Sequence, residues 1–365
     1  MRIGYVVQQF YPMAYGSGVH AFELSRELIK LGHEIHIITK GLPTQKSYEF
    51  FQQIHIHRIL PPISVPYYFP LNIALLWRFG KKIIKKLDLD VIIGHGFESS
   101  LFARVVKDSP FIYKAVGTIA LQRHRKNITW RDHLGKFYFP LLGYFERVAI
   151  HHANFTIAIS DAIKQEIRTE YNILGGRIYR IYNGVNLERF HPLQNSSLIQ
   201  KQLGFDKEKI ILFVGRLSPI KGPHLLLQAI PAILKEFPQS KFLFIGDGPL
   251  KAYFHKMIHS FRLNEHIKLL GFIPNSEIPQ YFAIANLCII PSLYEPFGLV
   301  ALESLASETP ILSSNRGGLA EIHQFLPKFP ILTSLSPFSL SKSVIELLSD
   351  PAKLKRLGRI GRKVV

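Results

Sequence analysis

The chain alternates short apolar runs with longer amphipathic stretches along its whole length, and this alternation restricts its fold more than any other feature. Runs such as RIGYVVQ, EIHIIT and DVIIG have the length and composition of buried strands. The stretch VHAFELSRELIKLG has helical periodicity and ends in glycine, and KIILFV, KFLFI and LCIIP repeat the strand pattern later in the chain. Such alternation predicts an α/β fold with parallel sheets that helices cover on both faces.

The length of the chain and the two series of strands predict two domains. A chain of 365 residues is too long for one ordinary core. We predict the seam in the polar, proline-containing stretch 186–197, which gives a first doubly wound, Rossmann-like domain at 1–190 and a second at 191–365. Because such sheets bind ligands at the carboxyl ends of their strands, the domains are expected to face a shared cleft.

The charge of the chain favours an anionic partner. Its net charge is +19, and both halves share the excess. A field of this sign attracts phosphorylated small molecules, anionic lipid surfaces or nucleic acid. The basic residues are dispersed and form no recognised nucleic-acid motif, so we do not predict nucleic acid as a partner.

Several features favour the cytoplasm. The single cysteine, Cys288, cannot form an internal disulfide, which suits a reducing compartment. The first residues, MRIGYVVQ, predict a strand rather than a signal peptide, and the uncharged run 59–77 contains four prolines that would break a spanning helix. We therefore expect a cytoplasmic protein, either free or bound peripherally at the inner face of the membrane.

Two glycine-bearing loops carry weak signals. In YGSGVH, Gly16, Ser17 and Gly18 precede a helix that is predicted to begin near Val19, and glycine there lets the backbone approach a ligand closely. The spacing is not GxGxxG, so no dinucleotide site is predicted. The loop IGDGPL at 245–250, which contains Gly248, has the composition of a plain turn.

Two other loops carry stronger chemistry. In VGRLSPIKG, Arg216 and Lys221 lie between a strand and a helix, where they are either solvated surface cations or ligands of a diphosphate. In SLYEPFGLVALESLASETP, Glu295 and Glu303 flank an uncharged segment that contains Gly298. They are either a rim and a helix-surface glutamate, or carboxylates that meet the hydroxyls of a ligand. A nucleotide sugar carries both the diphosphate and the hydroxyls.

Several motifs, in this order, closely resemble the retaining nucleotide-sugar glycosyltransferases of family 4, which have the GT-B fold. The motifs are GRLSPIKG, GDGP, PSLYEPFGLVALES and the glycine pair 317–318, with YGSGVHAFELSRELIKLGHEIHIIT, FTIAISDAIKQEI and IYNGVNLERFHP upstream. This resemblance implies that Arg216 and Lys221 bind the donor diphosphate, that Glu303 binds the ribose, and that Glu295 contacts the transferred sugar. Arg216, Lys221 and Glu295 are thus the implied catalytic residues. Further donor contacts are implied at Gly248, Ile273, Phe297, Gly298, Leu299 and Val300, and acceptor contacts at Gly16, Ser17, Gly18, His20 and His124.

The chain departs from the family pattern at several positions. Val116 stands where the family has a histidine, and His20, His95 and His124 are candidates to replace it, each also open to a purely structural role. Glu308 stands where the family prefers glycine, and Asn186 where it often has aspartate. The chain stops at GRIGRKVV, before the family's last helix is expected.

The family that the chain resembles retains the anomeric configuration of the transferred sugar, and the chain offers no obvious nucleophile. This combination favours a front-face displacement, which needs no metal or other cofactor. Asp88 and Asp90 resemble a DxD motif, but they precede a strand and so are expected at its amino end, away from a ligand. We find no His/Cys cluster with the spacing of metal ligands. The predicted activity is therefore metal-independent transfer of a hexose-type sugar to a hydroxyl of a glycan, either free, lipid-linked or membrane-associated. A catalytically weak nucleotide-sugar-binding protein is the alternative.

The segment 76–87, LWRFGKKIIKKL, is predicted to form a basic amphipathic helix. One interpretation is a helix that lies on an anionic membrane, and the other is a surface helix that covers the sheet.

Overall fold

The computed structural model describes residues 1–8, 10, 16–42, 44–59, 70–104, 109–119, 130–173, 176–193, 197–206 and 208–365. The chain forms two compact units, which are Met1–Tyr182 (unit 1) and Asn183–Val365 (unit 2). Each unit is an α/β structure built on its own sheet. Within the described residues, no helix is both long and apolar enough to cross a membrane.

Unit 1 is built on an eight-stranded sheet in the order β3-β4-β2-β1-β5-β6-β7-β8. The strands are Arg2–Val6 (β1), Glu34–Lys40 (β2), Tyr48–Phe51 (β3), Ile54–Ile59 (β4), Val91–His95 (β5), Phe111–Ala115 (β6), Phe155–Ala158 (β7) and Ile178–Arg180 (β8). The described helices are Gly16–Lys30 (α1), Pro70–Leu87 (α2), Trp130–His152 (α3) and Asp161–Tyr171 (α4), with a 3-10 helix at Phe97–Arg104. All strand pairs are parallel except the antiparallel pair β3–β4.

The first helix and the first strands of unit 1 share an apolar cluster. Alternate residues of β1, β2 and β4 point to one face, as the period of a strand requires. They pack with residues of α1, and the buried members are Ile3, Tyr5, Val7, Phe10, Ala21, Ile35, Ile37, Ile54 and Ile56. Helix α1 begins at Gly16, three residues before the start that the sequence predicts.

Unit 2 is built on a six-stranded sheet in the order β11-β10-β9-β12-β13-β14, and all of its strand pairs are parallel. The strands are Ile210–Val214 (β9), Lys241–Ile245 (β10), Ile267–Gly271 (β11), Leu287–Ile290 (β12), Ile311–Ser314 (β13) and Ile331–Leu332 (β14). The described helices are Ser197–Leu203 (α5), Pro223–Glu236 (α6), Lys251–Ser260 (α7), Ile278–Ile284 (α8), Leu299–Ala306 (α9), Gly318–Gln324 (α10), Pro337–Leu348 (α11) and Pro351–Val364 (α12), with a 3-10 turn at Pro219–Lys221.

The boundary between the units lies before residue 183, whereas the sequence predicts it at 190/191. Phe190 is buried in the core of unit 2, where its ring lies 6.1 Å from that of Phe282. The carbonyl of Phe190 accepts a hydrogen bond of 2.7 Å from Arg362 Nη1 on α12. Residues 183–190 therefore belong to unit 2, because their apolar anchor packs there.

Candidate functional site

Five loops of unit 2 follow neighbouring strands and lie at one edge of its sheet. Since β11, β10, β9, β12 and β13 are adjacent and parallel, their carboxyl ends share that edge. The loops carry Ile273, Gly248, Arg216 with Lys221, Glu295 with Gly298, and Gly317, in that order across the sheet. This edge is where doubly wound sheets bind ligands. The topology thus brings together five loops that the sequence separates.

An ion pair joins two of these loops. Lys221 Nζ lies 2.7 Å from Glu295 Oε1 and 2.8 Å from Oε2, and the Ser292 hydroxyl donates to Oε2 at 3.0 Å. The Glu295 side chain is only 13% exposed, so its carboxylate is held by two donors and partly shielded from water. This arrangement holds the Lys221 ammonium, in the loop after β9, against the loop after β12.

Close backbone packing holds these two loops together. Gly222 has a φ of 69°, and a Cβ at this position would overlap the Pro291 carbonyl oxygen. Two positions away from each of these residues, Leu293 N–H donates to the Ile220 carbonyl at 2.8 Å. A glycine is needed at position 222 both for its positive φ and for the lack of a side chain.

The glycine pair 317–318 supports the glutamate loop from the other side. Gly318 N–H donates to the Glu295 carbonyl at 2.9 Å. A Cβ at Gly317 would overlap that same carbonyl, and one at Gly318 would overlap the backbone of Phe297. The pair therefore sets the position of the Glu295 backbone, which explains why it accompanies the glutamate motif in the sequence.

Helix α9 begins at the same loop. Gly298 has a φ of 110° and precedes the helix, while the Phe297 side chain is buried. The amides of Leu299 and Val300 belong to the first helical turn, whose N–H groups have no acceptor within a helix. Together with the helix dipole, these donors form a surface suited to an anion.

Glu303 lies one turn further along α9 and is buried, with 9% of its surface exposed. Asn275 Nδ2 donates to its Oε1 at 3.4 Å, and Arg189 Nη1 in turn donates to Asn275 Oδ1 at 2.8 Å. Burial raises the pKa of Glu303 to about 7, although the Asn275 hydrogen bond and the Arg189 charge oppose this shift. The carboxyl group therefore titrates near neutral pH.

The predicted donor residues Arg216, Gly248 and Ile273 lie in different environments. Arg216 is exposed, and within the described part of the chain its guanidinium has no hydrogen-bond or ion-pair partner. Gly248 has a structural role, because a Cβ at this position would overlap the Leu217 carbonyl of the neighbouring loop. Ile273 is half-buried and packs against the core of unit 2. Arg216 is thus available for an anion, and Gly248 holds the two loops in close contact.

In unit 1, the predicted acceptor residues lie at the start of α1. Gly16 is exposed, Ser17 is half-buried and Gly18 is buried, all in the first turn. His20 follows them on the same helix, whereas His124 lies outside the described residues. The helix follows β1, so these residues lie toward the carboxyl end of that strand.

His20 belongs to a buried basic cluster that the sequence does not reveal. Lys114, 4% exposed, places its Nζ 2.9 Å from His20 Nε2, and the His20 and His95 rings are 5.7 Å apart. Both ring nitrogens of His95 and Nδ1 of His20 lack a hydrogen-bond partner among the described residues. Burial lowers the pKa of Lys114 to about 7, and burial together with Lys114 lowers that of His20 to about 3. Neutral His20 therefore accepts a hydrogen bond from Lys114.

This cluster lies where the family histidine is missing. His95 ends β5, and Lys114 is its register partner on β6, two residues before Val116. The histidines were candidates from the sequence, but Lys114 was not, since its partner His20 is 94 positions away. Asn275 and Arg189 were missed for the same reason, since their partners lie 28 and 86 positions away. Ser292 lies three positions before Glu295 and was not identified as its partner.

The DxD-like pair lies at the opposite end of its strand. Asp88 and Asp90 precede β5, and Asp90 Oδ2 accepts a hydrogen bond of 2.6 Å from the Arg2 backbone at the start of β1. These aspartates join two strand beginnings and are remote along β5 from the carboxyl edge.

Comparisons with known proteins find two family models that together match most of the chain. Residues 14–189 match the family model described as Glycosyltransferase Family 4, and residues 195–364 match that described as Glycosyl transferases group 1. A glycosyltransferase of Methanocaldococcus jannaschii is 28% identical over 96% of this chain and 90% of its own length.

Solved structures show the same fold. Sucrose-phosphate synthase from Thermosynechococcus elongatus has a TM-score of 0.85 and 21% identity, over 100% of this chain and 93% of its own. Anabaena HepE in complex with UDP-glucose has a TM-score of 0.75 and 19% identity, over 100% and 94%. The α/β, GT-B fold that the sequence predicts is thereby confirmed.

Proposed function

The chain belongs to glycosyltransferase family 4, and from this membership we propose that it transfers a hexose-type sugar from a nucleotide-sugar donor to a hydroxyl acceptor, with retention of configuration. The observation that carries the proposal is the Lys221–Glu295 ion pair, 2.7 Å long, at the carboxyl edge of the unit 2 sheet. A cation and a carboxylate in one place match the phosphate and hydroxyl parts of such a donor. The UDP-glucose complex of HepE supports this class of donor.

We assign the donor's parts to the loops by their chemistry. The diphosphate would lie between Arg216, Lys221 and the N–H groups at the start of α9, including those of Leu299 and Val300. The ribose would donate hydrogen bonds to Glu303, and the base would meet the backbone near Ile273. Glu295 would contact the transferred sugar while it holds Lys221 in place. Arg216 is exposed and Glu303 is buried, in keeping with these separate roles.

The proposed reaction is a front-face displacement. The bond between the anomeric carbon and the phosphate oxygen breaks first, and its electron pair leaves with the nucleoside diphosphate. The acceptor oxygen then bonds to the anomeric carbon from the same face, and its proton passes to the departing diphosphate oxygen. Arg216, Lys221 and the dipole of α9 stabilise the charge that develops on this oxygen. Neither a metal nor a further cofactor is required.

The acceptor side is proposed at the start of α1 in unit 1. Lys114, at the carboxyl end of β6, is hydrogen-bonded to His20 on α1, the helix that follows β1 and begins with Gly16, Ser17 and Gly18. Because the mechanism needs no separate base, these groups would orient a hydroxyl rather than deprotonate it. The acceptor would be a glycan, and the positive charge of the chain favours one that is carried on an anionic lipid.

Arg216 provides the decisive experiment. We expect Arg216→Ala to lower kcat at least 10²-fold, because one preorganised donor to the transition-state charge is lost. The measurement is transfer of radiolabelled sugar, after a thermal-shift screen of UDP, GDP and ADP sugars has identified the donor. Arg356→Ala on α12 is the matched control, since Arg356 is also exposed in unit 2. Full activity of Arg216→Ala would refute the assignment. A wild-type protein that binds the donor and transfers nothing would be the catalytically weak binder.

A further inference from the structure

The beginnings of strands β2 and β4 bring together ligand groups that the sequence separates. Glu34 and His36 lie two residues apart on β2 and share one face of the sheet. His55 on β4 is the direct register partner of His36, and His57 follows it on the same face. Tyr48 and Phe50 of β3 extend this face, opposite His57 and His55. The result is a polar and aromatic patch that no part of the proposed transfer reaction uses.

Three of these side chains converge on one point. Glu34 Oε1 lies 2.8 Å from His36 Nε2 and 3.9 Å from His55 Nε2, and one ligand atom from each residue lies within 4.8 Å of the others. The rings of His36 and His55 stack at 4.6 Å and direct their Nε2 atoms to the same carboxylate oxygen. In a tetrahedral zinc site with bonds of about 2.1 Å, ligand atoms lie about 3.4 Å apart. The observed separations bracket this value.

A second layer of hydrogen bonds orients the three ligands. His36 Nδ1 lies 3.1 Å from His57 Nε2, and His55 Nδ1 lies 2.8 Å from the Tyr48 hydroxyl. With their protons on Nδ1, both rings would present Nε2 to an ion. The hydrogen bond of 2.8 Å between His36 Nε2 and Glu34 Oε1 would then be replaced by a bond from each of these two atoms to the ion. Arg2 Nε lies 3.5 Å from Oε2, the other carboxylate oxygen of Glu34. Metal-binding histidines in proteins almost always have such partners on the other ring nitrogen.

We propose that Glu34, His36 and His55 bind one divalent transition-metal ion, with zinc as the best fit and water as the fourth ligand. Two imidazoles and one carboxylate are a donor set that zinc accepts in proteins. Because the ligands begin β2 and β4, the site lies at the amino ends of these strands, away from their ligand-binding edge. The ion would cross-link the two strands and stabilise unit 1. It would have no part in sugar transfer, which agrees with a metal-independent reaction.

The sequence alone predicts no metal site, because Glu34 and His36 are separated by two positions and His55 lies in another strand. Only the register between β2 and β4 brings the ligands together. The exposed histidines of α7, His255 and His259, are one helical turn apart and form a second metal-binding possibility with two ligands. They provide a matched control.

Isothermal titration of the full, chelator-treated chain with zinc chloride tests the proposal. We expect one tight zinc site per chain, distinct from any weak binding at the two α7 histidines, and a rise in Tm with bound zinc. His55→Ala and Glu34→Gln should each weaken this site at least 100-fold, and Tyr48→Phe should weaken it 10- to 100-fold through loss of the orienting hydrogen bond. His255→Ala/His259→Ala should leave it unchanged. With Co²⁺ in place of zinc, the visible absorption of a four-coordinate ion should appear in the control variant and be lost in His55→Ala.

Three outcomes would overturn the proposal. The first is a wild-type chain that binds no zinc, which would make the patch a hydrogen-bonded histidine stack. The second is zinc binding that survives both His55→Ala and Glu34→Gln. The third is zinc binding that is lost in the α7 control. Circular dichroism of each variant separates loss of the site from loss of the fold.

Discussion

Glu303 combines burial with a carboxyl group that, in the proposed function, accepts hydrogen bonds from the donor ribose. Its neighbours are an amide from Asn275 and, through that amide, the cation of Arg189. Because burial raises its pKa to about 7, half of the molecules carry the neutral acid near pH 7. The neutral acid is a poorer acceptor for a ribose diol than the carboxylate is.

We therefore predict that donor affinity rises with pH through neutrality. Below pH 7 the carboxyl group is protonated and binding is weak, and above pH 7 the carboxylate accepts the diol hydrogen bonds. The change in Kd is expected to be at most about tenfold per pH unit. Titration calorimetry at pH 6, 7 and 8, with the nucleotide sugar that the thermal-shift screen identifies, measures this change. An intact nucleotide sugar avoids the phosphate ionisation of a free nucleoside diphosphate. Glu303→Gln should give a flat profile, and an unchanged slope in that variant would contradict the assignment.

Lys114 should make the stability of the protein depend on pH. Burial lowers its pKa to about 7 in the folded state, whereas about 10.4 applies to the unfolded chain. Below pH 7 both states carry the charge, and the full cost of burying it opposes folding. As pH rises from 7 toward 10, the folded state is already neutral while the unfolded state still binds the proton, so the free energy of unfolding increases.

The matched variant is Lys114→Met, which keeps the length of the side chain and removes the charge. From pH 7 to 9, wild type should gain up to about 1.4 kcal/mol per pH unit relative to this variant. Between pH 5 and 6 the difference should be constant. Thermal unfolding of both proteins at these pH values provides the measurement. A difference that does not change between pH 7 and 9 would show that Lys114 does not titrate in this range.

At the scale of single residues, the sequence shows which residues belong to a motif, but not which contacts surround them in the fold. The departures at Glu308 and Asn186 become clear only in the structure. Glu308 has a φ of 58°, a conformation that glycine adopts more readily, and Asn186 Oδ1 accepts the backbone N–H groups of Glu188 and Arg189, as an aspartate would. Lys114 and the cluster around Glu34 depend on contacts between distant strands, for which one sequence carries no local pattern.

Among the elements, the sequence predicts the long periodic segments but not the short edge strand β3. The run IHIHR predicts the strand that becomes β4, and the sequence predicts no strand at β3. In the structure, β3 and β4 form a hairpin in which Phe51 pairs with Ile54. The connecting residues Gln52 and Gln53 have φ values of 47° and 63°. A two-residue turn with positive φ at both positions normally contains asparagine and glycine. Two glutamines give no such signal, so the turn is hidden in the sequence.

The same turn predicts a stabilising substitution. Gln52→Asn/Gln53→Gly should raise the free energy of unfolding by about 1–2 kcal/mol, because each left-handed residue other than glycine costs about 1–2 kcal/mol and asparagine tolerates this conformation better than glutamine. An increase in Tm of a few degrees is expected for a unit of this size. Gln52→Ala/Gln53→Ala is the control and should give no increase. Equal Tm values for the two double variants would contradict this account of the turn.

Helix α2 shows how packing changes the interpretation of a sequence pattern. Leu76, Gly80 and Ile84 are buried on one face, and a Cβ at Gly80 would crowd Phe102 and Ile38. The exposed face carries Arg78, Phe79, Lys82, Lys85 and Lys86. The helix is therefore a cover for the unit 1 sheet, as one of the two interpretations predicts. Its apolar face is occupied, so any membrane contact would be mainly electrostatic.

For the whole molecule, the net charge of +19 is the dominant electrostatic feature. The charge creates a field that attracts anionic surfaces over about one Debye length, roughly 8 Å at physiological salt. The exposed face of α2 concentrates several of these charges on one helix. A bilayer rich in anionic lipid attracts each such side chain by about 1 kcal/mol. We therefore propose that α2 is the principal membrane contact, in line with a lipid-carried acceptor.

Sedimentation with liposomes separates this local contact from general attraction by the total charge. Lys82→Glu/Lys86→Glu reverses two exposed charges one turn apart on α2, and Lys355→Glu/Arg359→Glu makes the same change on α12. Both double variants have the same net charge. If α2 is the contact, the first should lower the partition coefficient at least 10-fold, from about 1 kcal/mol per lost cation, and the second much less. Higher salt should weaken wild-type binding, since the contact is screened. Equal losses in both variants would assign binding to the total charge, and equal recovery on neutral and anionic vesicles would exclude an electrostatic contact altogether.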